Sequence, residues 1–183
     1  MDKKGEIDYL TKIIKPDLGV ITNISYAHSK NFKSIDQIAD AKAEIMKNIK
    51  IGGSIVLNSD DNFYNYHKNI AQKNKLNLIS FGIRNKLAMI KLIKIKKKLN
   101  RYEIFISVNK KIFSYYSKNI NKSNLYNILA TLAVLNQYIN IKNLKKNNFL
   151  NLKTPYGRGD ISKIKIGNKK IFLIDETYNS NPL

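Results

Sequence analysis

Three short apolar runs constrain this chain more than any other feature: residues 18–22 (LGVIT), 54–57 (SIVL) and 76–81 (LNLISF). Such runs suit strands buried on both faces, as in parallel sheets. Between them lie segments with helical spacing. Residues 6–14 place Ile7, Leu10, Ile13 and Ile14 along one helical face, and Pro16 ends that helix. Ser34 with Gln37 three residues on is a capping-box pattern. It opens a helix to about residue 48, with Ile35, Ile38, Ala41, Ile45 and Ile49 on one face. Gly52-Gly53 turns the chain, and residues 61–74 read as another helix. Alternating strands and helices specify an α/β fold, a mostly parallel sheet flanked by helices.

After residue 83 the texture changes. Residues 88–95, 101–108 and 111–116 read as strands joined by short polar turns, a small antiparallel β insertion. A long helix over 124–138 and a shorter one over 144–150 follow. Pro155 and the glycines of YGRGD mark a loop, and residues 161–166 and 170–174 form a last strand pair around Gly167-Asn168. At 183 residues the chain can bury roughly 70% of its unfolded surface.

The formal charge of +20 first suggests nucleic acid. The lysine excess, however, comes with excess asparagine and isoleucine, as in KLIKIKKKLN and NLKKNNFLNL. Those are residues that AT-rich codons favour, and compositional drift would spread lysine around the surface. Residues 91–98 accordingly read as an amphipathic strand with a solvated lysine face. There is no cysteine, hence no disulfide framework or thiolate metal site. No apolar run approaches the roughly 20 residues of a membrane span, and MDKKGEIDYL lacks the apolar core of a signal peptide. The expectation is a cytoplasmic protein with no nucleic-acid and no membrane partner.

His28 lies in the loop after the first strand, beyond its carboxyl end, where open α/β sheets bind ligands. A surface-loop histidine satisfies the same position. Lys42, 14 residues on, sits on the following helix and reads equally as a solvated lysine. His67, in YNYHKNI, reads as an ordinary helix-surface residue.

The strings VITNISYAH and ADAKAEI, with GEIDYLTKIIKPDLGVITNI, VLNSDD and IDETYNSNP, occur in this order. Together they resemble the central ATPase domain of the Mur ligases, and within that family the branch that adds D-alanyl-D-alanine. The resemblance is weakest over residues 83–118. It implies a P-loop NTPase-like domain over residues 1–176, with 177–183 beginning a linker to a further domain. It implies ATP and Mg²⁺ as cofactors, with UDP-N-acetylmuramoyl tripeptide and D-alanyl-D-alanine as substrates of a monomeric full-length enzyme.

Carried over residue by residue, His28 is a magnesium ligand and Lys42, as its carbamate, bridges or orients a second metal. Asn23 supports the same loop. SNLYNILA is similar to a motif whose asparagines contact adenine, which points to Asn124 and Asn127, although Ser123 replaces that motif's histidine. Arg158 of GRGD matches an arginine near the phosphates, and Asp175 an acidic residue near the ribose. Tyr178 and Asn179 match the lead into the next domain. The sequence holds no GxxGKT phosphate loop, which the resemblance places upstream. The chain is therefore expected to be a fragment, inactive alone. Other Mur-type or folylpolyglutamate synthase-like ligases are the rival readings, along with a basic nucleic-acid-binding protein. DETYNSNP and GEI argue against the rival ligases.

Overall fold

The computed structural model describes residues 1–26, 31–152 and 160–175. Contacts divide the chain into two units, Met1–Asn151 and Leu152–Leu183. The first contains α1 (Glu6–Ile14), β1 (Leu18–Ile21), α2 (Ile35–Ala43), β2 (Ser54–Asn58), α3 (Tyr64–Lys73) and β3 (Asn77–Gly82). These are followed by β4 (Ile90–Lys98), β5 (Arg101–Val108), β6 (Lys111–Ser117) and α4 (Lys122–Tyr138). The second unit holds a hairpin of β7 (Asp160–Ile166) and β8 (Lys169–Asp175), turned at Gly167-Asn168 with Gly167 at φ +58°.

The three apolar runs pair as parallel strands in the order β1-β2-β3. Their two faces are covered by different helices. On one, Leu125, Ile128, Leu129 and Leu132 of α4 cluster with Val56, Ile79, Phe81 and Ile90. On the other, Met46 and Ala71 cluster with Ile21, Ile55 and Leu57. Gly19 permits the close approach on that second face, because a Cβ there would lie 3.0 Å from the Ile49 side chain. Gly53 is tighter still: a Cβ would stand 2.7 Å from the Asp17 carbonyl.

The antiparallel strands are an extension of the same sheet. β4 joins β3 in parallel only at Phe81↔Ile90 and Gly82↔Lys91, then runs on past its end. That stagger explains why residues 83–89 suffice as a link where a full parallel crossover needs about a dozen residues. β5 and β6 follow antiparallel, with a register shift between Leu92 and Lys94.

Local signals were partly rewritten by packing. Ser34 caps α2 by accepting from Gln37 N at 3.3 Å, and Gln37 Oε1 accepts from Lys33 N at 2.9 Å. The α-helix ends at Ala43 and tightens into a 3-10 turn, Glu44–Lys47. The helix expected over 144–150 is instead two 3-10 turns, Ile141–Asn143 and Lys146–Phe149. On α1 the apolar stripe does not face the core: Leu10, Ile13 and Ile14 are exposed and Thr11 is buried. The helix is docked by polar bonds. Buried Glu44 accepts from Gly5 N at 2.8 Å and Asp8 N at 3.2 Å, and Asn48 Nδ2 donates to Thr11 Oγ1 at 2.9 Å.

Candidate functional site at the carboxyl edge of the parallel strands

β1 delivers Thr22, Asn23 and Ile24 to the carboxyl edge of the sheet, and three side chains hold three successive backbone groups there. Asn58 Nδ2, from the last residue of β2, donates to Thr22 O at 3.1 Å. Lys42 Nζ, from α2, donates to Asn23 O at 2.8 Å. Asp61, three residues past β2, accepts from Ile24 N at 2.8 Å and from Phe63 N at 2.9 Å. The backbone of residues 22–24 is thereby fixed by α2 and by β2 with the loop after it. This preorganisation suits a ligand site at the end of an open sheet.

Lys42 is half-buried. Burial pulls its pKa below the ordinary lysine value, with the Asp61 charge pulling the other way. A lowered lysine spends more time as the neutral amine, the form that attacks an electrophile such as carbon dioxide.

A second ring of bonds connects this loop to α4. Asp60 accepts from Ile83 N (2.6 Å), Arg84 N (2.9 Å) and Asn85 N (2.8 Å), and from Tyr126 Oη at 2.9 Å. Burial opposes the Asp60 charge, but those donors outweigh it and hold the carboxyl below its usual range. Burial and the bond to Asp60 push the Tyr126 hydroxyl up to about 12. The string NSDD at 58–61 is thus the hub between the Lys42 loop, the turn after β3 and the start of α4. Its role as a hub is not legible from residue spacing, although two adjacent carboxylates directly after a strand were the available signal.

Of the expected site residues, Asn23 and Lys42 come together. His28, Arg158, Tyr178 and Asn179 lie outside the described residues. Asn124 and Asn127 stand in the first turns of α4. The Asn124 amide donates to Asn119 O at 2.6 Å and Ser117 Oγ at 3.3 Å, so it orders the entry to the helix. Asn127 is exposed. Asp175 closes β8 opposite Asp160.

His67 corrects the surface reading: it is 2% exposed, and its Nε2 lies 3.1 Å from Ala39 O. A carbonyl only accepts, so Nε2 carries the proton of the neutral ring. Burial lowers its pKa, ahead of the raising effect of the Ala39 bond. It ties α3 to α2 and faces the core.

Among the described residues, no three His, Cys, Asp or Glu side chains gather as a metal site. The donor set at Lys42 nevertheless fits a hard cation if the lysine is carbamylated. A carbamate keeps one N–H for Asn23 O and offers two carboxylate-like oxygens, whereas the ammonium would repel a metal.

Comparison with known proteins places this chain in a family. Residues 1–135 match the Mur ligase middle domain. The UDP-N-acetylmuramoyl-tripeptide–D-alanyl-D-alanine ligase of Rickettsia prowazekii is 31% identical over 186 aligned residues, which take in 100% of this chain and 40% of that protein. MurF from Acinetobacter baumannii has the same fold, with a TM-score of 0.80 at 24% identity, covering 99% of this chain and 38% of that one. The MurF ligase of Thermotoga maritima in complex with ADP gives a TM-score of 0.76 at 25% identity, covering 98% and 39%. The chain therefore spans about 40% of the length of the relatives it matches. With the domain match running from residue 1 through most of α4 and Lys42 inside it, the chain belongs to the Mur ligase family.

Proposed function

We propose that this chain is the middle part of an ATP-dependent ligase that adds D-alanyl-D-alanine to UDP-N-acetylmuramoyl tripeptide during peptidoglycan precursor synthesis. The reading takes residues 1–176 as part of the ATP-binding domain and 177–183 as the start of a linker. The whole enzyme is monomeric and cytoplasmic on this reading. Among the described residues, no helix is long and apolar enough to cross a membrane.

The observation that carries the reading is the meeting of Lys42 with Asn23 at the carboxyl edge, inside a sequence related to D-alanyl-D-alanine ligases. In the proposed reaction the terminal carboxylate of the tripeptide takes the γ-phosphoryl group of ATP, releasing ADP and giving an acyl phosphate. The amine of D-alanyl-D-alanine then attacks the carbonyl carbon, loses its proton, and expels phosphate. Magnesium, when bound, neutralises charge on the phosphate oxygens.

This chain's own contribution is positional. Asn58, Lys42 and Asp61 fix the backbone of residues 22–24; on the family resemblance, the Lys42 carbamate would supply oxygen ligands and His28 a nitrogen ligand to the metal. Asn127, exposed on α4, is the adenine-side candidate, with Asn124 ordering the turn before it. Arg158 and Asp175 take the phosphate and ribose sides. The VLNSDD, GEI and DETYNSNP strings favour this branch over other Mur-type and folylpolyglutamate synthase-like ligases.

The test is a chimera in which this chain replaces the matched portion of the Rickettsia prowazekii ligase. Phosphate release that needs both UDP-N-acetylmuramoyl tripeptide and D-alanyl-D-alanine, and that Lys42→Ala removes, is the expected result. The 183-residue chain alone is expected to show no turnover. A chimera that folds and binds ATP but accepts a different amine would overturn the substrate assignment.

A further inference from the structure

The hairpin tip between β4 and β5 carries charge that the ligase reading does not use. From Lys94 to Arg101 the sequence KIKKKLNR holds five cations and no carboxylate. The strand register sorts them onto both faces. Lys96, Lys98 and Arg101 share a face with Glu103, Phe105 and Tyr116, while Lys97 stands opposite Tyr102 on the other face. At the turn, Leu99 is 96% exposed. Lys98 lies seven positions beyond Lys91, the last residue paired with β3, so the tip projects roughly 20 Å past the carboxyl edge of the parallel strands.

Two kinds of anionic partner would attract such a tip, and the geometry separates them. A single-stranded nucleic acid needs a one-sided cationic track with free aromatic faces for its bases. Here the two rings on the face that carries most of the cations, Phe105 and Tyr116, are already covered. Lys94 and Lys96 place Nζ 5.1 and 5.6 Å from the Phe105 centroid, and the Arg101 guanidinium carbon lies 3.8 Å from that of Tyr116. Glu103, paired with Lys146 at 3.2 Å and more loosely with Lys98 at 4.0 Å, further lowers the charge in the middle of that face. What remains is a collar of cations around a bare leucine at the far end, a shape for end-on contact.

We propose that this hairpin tip docks the chain on an anionic lipid surface, with Leu99 entering the interface between headgroup phosphates held by Lys96, Lys97, Lys98 and Arg101. Basic side chains gain attraction within about a Debye length of an anionic bilayer, and an apolar group among them adds anchorage. Peripheral docking needs no spanning helix, so it revises the expectation of no membrane partner, which was drawn from the lack of a span. It is independent of the ligase reading.

The experiment uses the 183-residue chain with vesicles of phosphatidylcholine, alone or mixed with phosphatidylglycerol, at physiological salt. The chain has no cysteine, so Leu99→Cys carries a single polarity-sensitive dye. The expected results are co-sedimentation with the mixed vesicles only and a blue shift of the dye on them. Lys97→Glu/Lys98→Glu should lower the partition coefficient at least ~10-fold. Lys73→Glu/Lys111→Glu, which changes net charge equally at exposed sites at the opposite end of the strands from the tip, should lower it by no more than about 2-fold. Circular dichroism of each variant confirms the fold. Equal losses in the two double variants, an unshifted dye, or unchanged binding by the tip variant would each overturn the proposal. Tighter binding to a single-stranded oligonucleotide, lost in Phe105→Ala, would overturn it in favour of nucleic acid.

Discussion

In β1–β3 the loops at the carboxyl edge are held by side chains bonded to backbone: Asn58 to Thr22 O, Asp61 to Ile24 N, and Asp60 to three N–H groups after β3. In β4–β6, on the same sheet, the outer face is held by cations over rings, as with Lys94 and Lys96 at Phe105 and Arg101 at Tyr116. The first arrangement fixes backbone positions and leaves donors stranded if one partner is removed. The second is solvated and replaceable. That difference explains how lysine can accumulate along β4 without disturbing the edge where Lys42 sits: cost follows the loss of satisfied, partly buried polar groups more than the gain of exposed charge.

The comparison breaks first at the core the two halves share. Phe81 is fully buried between the sheet and α4, and Phe81→Ala should cost about 3–5 kcal/mol in urea unfolding. A loss under about 1 kcal/mol would mean that α4 does not seal the parallel half.

Asp60→Ala should follow, on the order of 3 kcal/mol, because three backbone donors and the Tyr126 hydroxyl lose their acceptor. The carboxyl titrates below its unfolded value in the native state. Its contribution is therefore complete above about pH 4 and is lost as pH falls through the lower native value. Urea midpoints measured from pH 6 downward should fall less steeply in Asp60→Asn than in the parent.

Much of the fold was legible because it depends on local pattern. The apolar runs became β1, β2 and β3, Ser34 did cap α2, and Gly52-Gly53 did turn the chain. The site was legible only in part, because its bonds join residues distant in sequence. Asp61 reaches Ile24 across 37 positions and Tyr126 reaches Asp60 across 66, and no periodicity reports such pairs. The α1 stripe misled because Glu44 and Asn48 dock that helix by its polar side. His67 was readable after all: it precedes Ala71 by one helical turn, and both are buried.

His67 gives a smaller effect in the parallel half. Its native pKa lies below the unfolded value near 6.5, so the stability it supports is complete above that pH and declines as pH falls toward the native value. Unfolding midpoints should drop between pH 7 and 5 in the parent and flatten in His67→Leu. Phe105→Leu, on the outer face of the meander, should change stability least, by about 0.5–1 kcal/mol. A larger loss there than at Asp60 would reverse the ranking of the two halves.

The central claim is that Lys42 is half-buried with its Nζ on the Asn23 carbonyl after β1, where burial lowers its pKa. Nζ titration of ¹⁵N-lysine-labelled chain by NMR measures this directly, with Lys42→Arg assigning the signal. One resonance, absent in Lys42→Arg, is expected to titrate below the ordinary lysine value. Lys42 titrating at or above the ordinary lysine value of about 10.4 would contradict it.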